Sequence, residues 1–356
     1  MKALNVYEEN ALYDKSGVVW EWITPKTLDG IDWETVTTIQ TPRLNRIQKP
    51  YLARYLTALR AAWKARNADL VVTHGEPMAI WTGIFMRLLG SRARHLAWAF
   101  TMPEYDSYGS LRKWLLRFGM KPVDRLVMFS EIETRSYPPL LGVDPDRFHM
   151  IPWSADGVDV DRSAPPIVEG EYIAAIGGEG RDYKTLFEAM AMLPERRLVV
   201  VASPKSIAGL TPPENVTVYS NIPLSDAMNI AANASFLVLP LLSETIPCGH
   251  GSIVSQFYLE KATIVTRSQA MNGYAYADEN VLEYPAQNAT ALKEQIERLY
   301  NDAALRERLA TAGLKFAREK CSEPYTIEYF NNYVLESGFL DDNGGQTGNR
   351  TVSSAG

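Results

Sequence analysis

The sequence predicts an α/β fold made of two domains, each built around a parallel sheet. Its 356 residues are 46% hydrophobic and 22% charged, which is typical of a globular chain long enough for two cores. Short apolar runs alternate with longer amphipathic stretches through both halves of the chain. A segment rich in proline and charge, RSAPPIVEGE (Arg162–Glu171), separates the two halves.

In the first half, five short runs rich in β-branched and aromatic residues predict strands, and four longer stretches between them predict helices. The strands are expected near Ala3–Tyr7, Thr35–Gln40, Asp69–Thr73, His95–Phe100 and Arg125–Phe129. The helices are expected near Tyr51–Arg66, Met78–Leu89, Ser110–Phe118 and Glu131–Leu141.

The second half repeats this alternation. Its strands are expected near Tyr172–Ile176, Leu198–Ala202, Val216–Tyr219, Phe236–Leu239 and Thr263–Thr266. Its helices are expected near Tyr183–Met192, Ser225–Asn233, Ser252–Glu260 and Ala289–Asn301. Strands that alternate with helices form parallel sheets with right-handed crossovers, and such sheets bind ligands at the carboxyl ends of their strands. Two sheets in tandem therefore predict a ligand cleft between the domains.

Charge and tryptophan content also change at the boundary. Residues 1–165 hold 21 Lys and Arg against 19 Asp and Glu, whereas residues 166–356 hold 15 against 23, and all eight tryptophans lie at or before Trp153. We therefore predict a first domain over residues 1–160 and a second domain over residues 161–325. A C-terminal helix over residues 326–340 is expected to cross back to the first domain, and residues 341–356 are expected to be disordered.

Several classes of protein are disfavoured. Two cysteines, Cys248 and Cys321, are too few for a disulfide framework and indicate a reducing compartment. The first residues lack a signal-peptide pattern, and the apolar run Ile80–Leu89 is interrupted by Arg87 and too short to span a bilayer. These features together predict a cytoplasmic protein. No metal-ligand spacing is present, so we expect no metal cofactor. No Ser-His-Asp arrangement is present, which disfavours a serine hydrolase.

The strongest local motif is AAIGGEGRDYKTLFEAM (Ala174–Met190). An apolar strand runs into Gly177, Gly178 and Gly180, and a helix follows with Arg181 and Lys184 in its first turn. Glycines let the backbone approach a ligand, a helix N-terminus offers free N–H groups, and the two cations can neutralise a diphosphate. The alternative is a Gly-rich turn with solvated charges. The spacing matches neither the phosphate loop of nucleoside triphosphatases nor a complete dinucleotide-binding fingerprint.

A succession of motifs resembles a known family. Five motifs lie in order along the 137 residues from His149 to Pro285: HMIPWSADGVDVDR, GGEGRDYKTLFEAM, NIPLSDAMNIAANASFLVLPL, CGHGSIVSQFYLEKATIVT and MNGYAYADENVLEYP. They resemble the donor half of glycosyltransferases of the GT-B fold, close to family 4. DLVVTHGEP, HLAWAFTMPEY and DRLVMFSEIE in the first half resemble the family's acceptor-side strands more weakly. The resemblance implies two Rossmann-like domains that face each other across a cleft, with an acceptor-binding domain over residues 1–160 and a donor-binding domain over residues 161–325.

The resemblance also implies roles for single residues. Arg181 and Lys184 correspond to the basic pair that holds the donor diphosphate, beside Gly178 and Gly180. The loop that enters a helix at Gly249, His250, Gly251 and Ser252 corresponds to one that meets the donor phosphates and sugar. Asn221 and Ile222 correspond to the segment that meets the nucleobase.

The sequence departs from the family at two positions. Many members carry two glutamates eight residues apart around this loop, where an ungapped alignment places Pro247 and Ser255. Glu244 and Gln256 lie nearby and are candidates to replace them, since both side chains can hydrogen-bond to sugar hydroxyls. The departure leaves the donor sugar open and allows a catalytically silent relative.

On the acceptor side, His74 follows a strand in VVTHGEP. The resemblance implies that it faces the scissile bond and binds a hydroxyl of the donor sugar, whereas a structural histidine is the alternative. Glu76 is a weaker candidate for the same position. His95 and His149 abut strands, and both are interpreted as structural.

Basic residues in the first half predict an anionic partner. Residues 43–66 carry seven Lys and Arg with no acid, and YGSLRKWLLRFGMK (Tyr108–Lys121) interleaves Arg112 and Arg117 with Trp114. Such helices can lie on the inner face of an anionic cytoplasmic membrane; the alternative is that their apolar stripes are core faces. The same composition indicates nucleic acid only weakly.

The expected function is therefore transfer of a sugar, with retention of anomeric configuration, from a UDP- or GDP-sugar to a lipid-linked or glycan acceptor in envelope polysaccharide or glycolipid synthesis. Alternatives are a silent GT-B partner subunit, a glycosyltransferase acting on nucleic-acid bases, and a sugar-nucleotide epimerase. The intact Gly178, Gly180, Arg181 and Lys184 favour an enzyme over a silent subunit.

Overall fold

The computed structural model describes residues 1–8, 24–38, 50–102 and 105–340. These residues form two compact units. Residues up to 129, residues 133–151 and those from Thr326 onward belong to the first unit, while residues 130–132 and 152–325 belong to the second. The predicted tail over residues 341–356 lies outside the described residues.

The first unit is built on a six-stranded parallel sheet. Its strands are β1 (Lys2–Tyr7), β2 (Asp32–Thr37), β3 (Leu70–His74), β4 (Arg94–Trp98), β5 (Arg125–Met128) and β6 (Phe148–Met150). Their spatial order is β2-β1-β3-β4-β5-β6, and every pairing is parallel. The direction of winding reverses between β1 and β3, so a ligand crevice is expected where these two strands end, beside Tyr7 and His74.

Within the described ranges, four helices connect these strands. They are α1 (Pro50–Lys64), α2 (Glu76–Leu88), α3 (Ser110–Met120) and α4 (Glu131–Leu141). Helices α2 and α3 cross at Gly83 and Gly119, where a Cβ on Gly83 would lie 2.4 Å from the Gly119 carbonyl oxygen. Glycine at this crossing lets the two backbones touch, and the helices pack with buried apolar side chains of β4 and β5 such as Ala97, Leu126 and Met128.

The second unit has its own six-stranded parallel sheet. Its strands are β7 (Ile173–Ile176), β8 (Leu198–Val201), β9 (Val216–Tyr219), β10 (Leu237–Leu239), β11 (Thr263–Thr266) and β12 (Leu282–Tyr284). The order is β12-β11-β10-β7-β8-β9. Winding reverses between β7 and β10, so the loops that follow these two strands open the crevice in which such sheets bind ligands.

Helices cover both faces of the second sheet. They are α5 (Tyr183–Ala191), α6 (Leu224–Asn233), α7 (His250–Tyr258), α8 (Ala289–Asn301) and α9 (Ala303–Lys320). Side chains of β7 alternate between the two cores: Ile173 and Ala175 pack with α5 and α8, whereas Tyr172 and Ala174 pack with α6. Because both faces are covered, the central strands β7, β8 and β10 are apolar throughout rather than alternating in polarity.

The last helix, α10 (Glu323–Glu336), packs in the first unit from Thr326 onward. The Tyr333 hydroxyl donates to Asp124 Oδ2 over 2.8 Å, and Asn331 Oδ1 accepts from the Leu28 backbone N–H over 3.1 Å. These contacts link α10 to the start of β5 and to the segment before β2.

The α/β fold with two parallel sheets is confirmed. Every strand and helix expected from sequence within the described residues is present, with shifts of a few residues at the ends. Strands β6 and β12 and helix α9 were not predicted. Within the described ranges, no helix combines the length and apolarity needed to cross a bilayer. No group of three or more His, Cys, Asp or Glu in those ranges is placed to hold a metal ion.

Candidate functional site

The glycine-rich turn lies at the winding reversal of the second sheet, directly after β7. Gly177 has φ +151° and Gly180 has φ +65°, conformations that favour glycine. A Cβ on Gly177 would lie 2.6 Å from Arg181 Nε, so only glycine lets the guanidinium lie across the turn. The Tyr183 hydroxyl donates to the Gly177 carbonyl over 2.6 Å and holds the turn from below.

The Arg181 side chain is half-buried beside this turn. Its Nη1 donates to the Glu179 carbonyl over 2.8 Å, and its Nη2 donates to Ser252 Oγ over 2.7 Å. The buried Nε has no hydrogen-bond partner in the part of the chain that the structure describes. Burial lowers the pKa of Arg181, but an arginine remains charged at neutral pH. A buried cation with spare donors favours binding of an anion.

Two loops are held side by side by backbone hydrogen bonds. The Leu242 N–H donates to the Gly180 carbonyl over 3.0 Å, and the Asp182 N–H donates to the Pro240 carbonyl over 2.8 Å. The loop after β7 is thereby joined to the loop after β10. Asp182 also caps α5, since its carboxylate accepts from the Thr185 N–H and hydroxyl.

The loop after β10 ends at Gly249, which precedes α7 in a left-handed conformation with φ +88°. A Cβ there would lie 2.9 Å from Leu241 Cδ2. The helix starts two residues earlier than expected from sequence, so His250, Gly251 and Ser252 form its first turn. Their N–H groups have no acceptor within the helix, which makes this end a binding site for oxyanions.

The His250 imidazole turns away from that end of the helix. It is buried, its Nε2 donates to the Ala270 carbonyl over 2.8 Å, and its ring packs against Tyr274 at 5.0 Å between centroids. Burial lowers the pKa of His250, so the ring is neutral near pH 7. The side chain anchors the loop after β11, and only the backbone of His250 remains to face a ligand.

Lys184 does not join Arg181. It is 73% exposed on α5, its Nζ lies 3.9 Å from Glu188 Oε1, and it borders a groove formed with residues 209–213. Arg181 therefore lies at the glycine-rich turn and Lys184 on the outer side of α5. The two side chains do not form the basic pair predicted from sequence.

The other predicted donor residues lie on the loops that follow the strands. Asn221, after β9, is exposed with φ +57°, and Ile222 packs partly into the core beside α6. Glu244 is exposed, and its carbonyl accepts from Ser268 Oγ over 2.9 Å. Gln256 is buried in α7, and its Oε1 has no partner among the described residues.

The two positions that depart from the family are not equivalent. The Ser255 hydroxyl donates to the Gly251 carbonyl over 2.8 Å, which occupies it within α7. Pro247 lies half-buried in the loop before the helix. Of the nearby candidates, only the Glu244 carboxylate is exposed to a ligand.

Two residues of this site were missed from sequence. Ser203 follows β8, and its Oγ lies 3.5 Å from the Gly178 carbonyl. Cys248 lies where a Cβ on Gly180 would come within 3.1 Å of its Sγ. Ser203 could have been found from sequence, because it follows the carboxyl end of a predicted strand. Cys248 could not, because its contact with the turn joins residues 68 positions apart.

In the first unit, His74 ends β3 at the winding reversal. Its Nε2 donates to Asn5 Oδ1 of β1 over 2.7 Å, and its ring meets Tyr7 edge to face at 6.2 Å. Burial lowers the pKa of His74 to about 3, so the ring is neutral near pH 7. His74 is thus held by Asn5 and Tyr7 of the adjacent strand β1. His95 bonds Thr73 in the same sheet, and His149 lies against Tyr329.

Arg112 lies beside the same strand ends. Its Nη2 lies 3.3 Å from Oε1 of the buried Glu76, and its guanidinium stacks on Tyr108 at 3.5 Å. Burial raises the pKa of Glu76, while Arg112 opposes that shift. Trp114 is 57% exposed and stacks on Phe118, and Arg117 donates to the Leu140 carbonyl. Arg112 therefore lies beside the carboxyl end of β3, whereas Trp114 faces outward.

A buried carboxyl group near the carboxyl ends of β4 and β5 was also missed. Glu133 in α4 is only 2% exposed, and its Oε1 accepts from the Tyr137 hydroxyl over 2.8 Å. Thr101 also bonds its carboxyl, and the Tyr137 oxygen accepts from the Met102 N–H over 2.8 Å. Burial raises the pKa of Glu133 to about 7 despite these bonds.

Comparison with known proteins agrees with this architecture. Residues 15–153 match the family model described as a glycosyl transferase 4-like domain. This is the half in which the resemblance in sequence was weaker. The curated proteins contain no match to the chain.

Solved structures share the fold at low sequence identity. A glycosyltransferase from Rickettsia africae is 15% identical with a TM-score of 0.64, over 94% of this chain and 98% of that one. HepE of Anabaena, solved with UDP, is 13% identical with a TM-score of 0.69, over 95% and 100%. The lipopolysaccharide outer core galactosyltransferase WaaB is 12% identical with a TM-score of 0.64, over 95% and 100%. The predicted GT-B resemblance is confirmed, and the domain match and fold together support a transferase enzyme.

Proposed function

We propose that this chain, with its glycosyl transferase 4-like domain and GT-B fold, transfers a sugar from a UDP- or GDP-sugar to a lipid-linked or glycan acceptor. The observation that carries the proposal is the joining of two anion-binding features, the Arg181 guanidinium and the first turn of α7, by the bond from Arg181 to Ser252. HepE has been solved with UDP and with UDP-glucose, which supports a uridine nucleotide as the first donor to test.

The proposed donor site stabilises the leaving group. As the bond between the sugar's anomeric carbon and the diphosphate oxygen breaks, its electron pair and negative charge pass to the nucleoside diphosphate. Arg181 and the N–H groups of His250, Gly251 and Ser252 are fixed before the reaction and neutralise that charge. We propose that these groups suffice without a metal ion. Lys184, on its long exposed side chain, assists only after its ion pair with Glu188 opens.

The acceptor's hydroxyl oxygen then bonds to the anomeric carbon, and its proton passes to the departing diphosphate, which has taken the electron pair of the broken bond. Retention of configuration is proposed from the family resemblance. His74 is neutral, so we propose that it positions a sugar hydroxyl by hydrogen bonding and carries no charge. Glu76, held by Arg112, places a carboxyl group two residues after this strand end.

Thermal unfolding with a panel of UDP- and GDP-sugars tests the donor site. A nucleotide at 100 times its Kd adds about 2.7 kcal/mol of stability, which raises Tm by several degrees. Arg181→Ala is expected to weaken binding of the stabilising nucleotide on the order of 100-fold, since a hydrogen bond to a charged group contributes about 1.5–3 kcal/mol.

A matched pair of lysines provides the control. Lys184 and Lys315 are each 73% exposed and each pairs with a glutamate one helical turn later, but only Lys184 follows the glycine-rich turn. Lys184→Ala is expected to weaken binding less than Arg181→Ala, and Lys315→Ala is expected to leave it unchanged. A flat response of the wild type to every nucleotide would contradict the proposal.

We also propose that the acceptor is reached at an anionic membrane surface through α1 and α3. Helix α1 buries its small residues and exposes its large ones. Its buried side consists of Ala53, Thr57, Ala58, Ala61 and Ala62. Its exposed side carries Leu52, Leu56, Leu59 and Trp63 at helical spacing. Large apolar side chains on the outside of a helix favour a surface that covers them.

The exposed cations Arg60 and Arg66 lie on or next to α1, which suits an anionic surface. Helix α3 adds Leu111 and Trp114 on the same side of the sheet, since α1 and α3 both pack against α2. The alternative stated from sequence is that the leucines of α1 face the core. In the structure Leu52, Leu56 and Leu59 are exposed, so that alternative does not apply to α1.

Flotation with vesicles of phosphatidylglycerol in phosphatidylcholine tests the membrane proposal. We expect the wild type to float with these vesicles. The double variant Trp63→Glu with Trp114→Glu should bind at least about tenfold more weakly, because burial of one large side chain contributes about 1.5–3 kcal/mol. Leu224→Glu, at a 75% exposed leucine of the second unit, is the control and should float as the wild type does. Equal flotation of all three proteins would remove the proposal.

A further inference from the structure

Trp153 lies beside the first turn of α7. It belongs to the second unit, and its side chain is 38% exposed. A Cβ on Gly251 would lie 3.6 Å from Trp153 Nε1 and 3.7 Å from its Cε2, so the pyrrole edge of the indole borders this turn. A partly exposed aromatic side chain therefore adjoins the helix start that is proposed to bind the donor.

The backbone of Trp153 is fixed at this place. Its N–H donates to the Tyr274 hydroxyl over 2.7 Å. Tyr274 is fully buried after β11, and its ring packs against that of His250 at 5.0 Å between centroids. Trp153 is thereby tied to the loop after β11 as well as to α7. The bond to Tyr274 does not depend on the indole, so it is kept when the side chain is replaced.

Gly251 is not required by its own conformation or by its neighbours. It has no positive φ, unlike Gly249. Among the described residues outside its own turn, the atoms that an added Cβ would meet are those of Trp153, at ordinary van der Waals distances. Alanine favours a helix more than glycine does, so packing within the chain does not explain the glycine. The missing Cβ leaves a gap beside the indole in which a ligand can approach the backbone.

The strand order indicates which part of the donor reaches this gap. The strands β9, β8, β7, β10 and β11 are neighbours in that order, so the loops that follow them succeed one another along one edge of the sheet. Asn221 and Ile222, the candidates for the nucleobase, follow β9, and Arg181 follows β7. A nucleotide sugar with its base at β9 and its diphosphate at Arg181 extends its sugar toward β10 and β11. Trp153 lies at that end.

We propose that the Trp153 indole binds the sugar of the donor by packing against the apolar C–H face of its pyranose ring, while Gly251 lets the ring approach α7. This inference rests on the proposed glycosyl transfer and adds a sugar-binding residue to its donor site. An aromatic ring supplies contact area without hydrogen bonds. It suits a site in which Pro247 offers no carboxylate and the Ser255 hydroxyl already bonds the Gly251 carbonyl.

Comparison of a nucleoside diphosphate with its own sugar conjugate tests the proposal. The probes are UDP with UDP-glucose, UDP-galactose and UDP-N-acetylglucosamine, and GDP with GDP-mannose, each titrated into the full chain by calorimetry. The conjugate that the wild type binds most tightly is then compared with its own diphosphate. Trp153→Ala should raise the Kd of the conjugate about tenfold, as expected for the loss of one aromatic packing contact, and should leave the Kd of the diphosphate unchanged.

Three further variants sharpen this comparison. Trp153→Phe keeps an aromatic face and should bind the conjugate nearly as the wild type does. Gly251→Ala keeps the backbone N–H but fills the gap, so it should weaken binding of the conjugate more than binding of the diphosphate. Tyr276→Ala is the matched control, because Tyr276 is also an exposed aromatic residue of the second unit, at 44%, but packs on Phe316 of α9. It should change neither Kd.

A spectroscopic measurement separates contact with the sugar from a purely structural role. The chain has eight tryptophans, so labelling with fluorotryptophan gives eight ¹⁹F resonances. The resonance of Trp153 is identified by its loss in Trp153→Phe. We expect it to move further with the saturating conjugate than with the saturating diphosphate.

Two results would overturn this inference and leave the proposed function in place. One is an equal loss of affinity for diphosphate and conjugate in Trp153→Ala, which would indicate a structural role or contact with the nucleoside. The other is an unchanged Kd of the conjugate in that variant. If the wild type binds no diphosphate and no conjugate, the proposed function fails and this inference fails with it.

Discussion

Gly249→Val is expected to reduce sugar transfer by more than about 100-fold, the usual cost of losing a single oxyanion-stabilising donor. Gly249 precedes α7 with φ +88°, a conformation that a β-branched residue rarely adopts. The new Cβ would also lie 2.9 Å from Leu241 Cδ2. The loop must shift to relieve both, and the N–H groups of the first turn of α7 then lose their position. Turnover of a UDP-sugar and nucleotide binding by calorimetry measure the effect.

Gly142→Val separates this effect from general backbone strain. Gly142 also has positive φ, at +65°, but no atom lies within 4 Å of its added Cβ, and it belongs to the first unit. We expect Gly142→Val to lose about 1–3 kcal/mol of stability and to keep its turnover. Equal turnover in the two glycine variants would show that the start of α7 has no part in the reaction.

His250→Asn completes the comparison at the same loop. The imidazole binds the Ala270 carbonyl and packs on Tyr274, so its loss is expected to cost about 1–3 kcal/mol of stability and to reduce turnover only partly. The backbone N–H of residue 250 is kept in this variant.

Glu133→Gln is expected to stabilise the protein at pH 8 by up to about 3 kcal/mol. The pKa of Glu133 is raised from 4.5 to about 7 by burial, so the folded protein holds a proton that the unfolded chain releases. Stability from this group is therefore present below pH 4.5 and declines as pH rises to about 7. A glutamine stays neutral and can still accept from Tyr137, so the variant lacks this decline.

Urea unfolding of both proteins at pH 5, 6.5 and 8 measures the effect. The difference in unfolding free energy between variant and wild type should be small at pH 5 and should grow with pH. The contributions of the other titrating groups are the same in both proteins and cancel in this difference. Tyr137→Phe removes the bonded hydroxyl but keeps the carboxyl group, so it should retain the decline with pH. A constant difference between Glu133→Gln and wild type at all three pH values would contradict the raised pKa.

Much of the fold could be predicted from the sequence because each element has a local pattern. The strands of both sheets are short apolar runs, and α5, α8 and α9 begin at the side-chain caps Asp182, Asn288 and Asp302. Strands β6 and β12 were missed because each has only three residues with a polar one, His149 or Glu283, in the middle, whereas β10 is equally short but apolar throughout. Helix α9 was missed, and only Asp302 separates it from α8.

The candidate site could be predicted in part. Glycines at 177, 180 and 249 were identified from sequence, and all three have positive φ. The separation of Arg181 from Lys184 and the direction of the His250 ring could not be predicted. Each depends on contacts with residues far along the chain, such as Ser252 and Ala270.

By itself, the sequence determined where strands and helices form and which turns require glycine, because these depend on neighbours a few residues apart. Only the tertiary structure decided that the turn at Gly177 meets the loop before Gly249, because β7 and β10 are adjacent in the sheet but about 60 residues apart in the chain. It also decided that α1 exposes its leucines, since the close packing of α1 against α2 admits only alanine-sized side chains on the buried side.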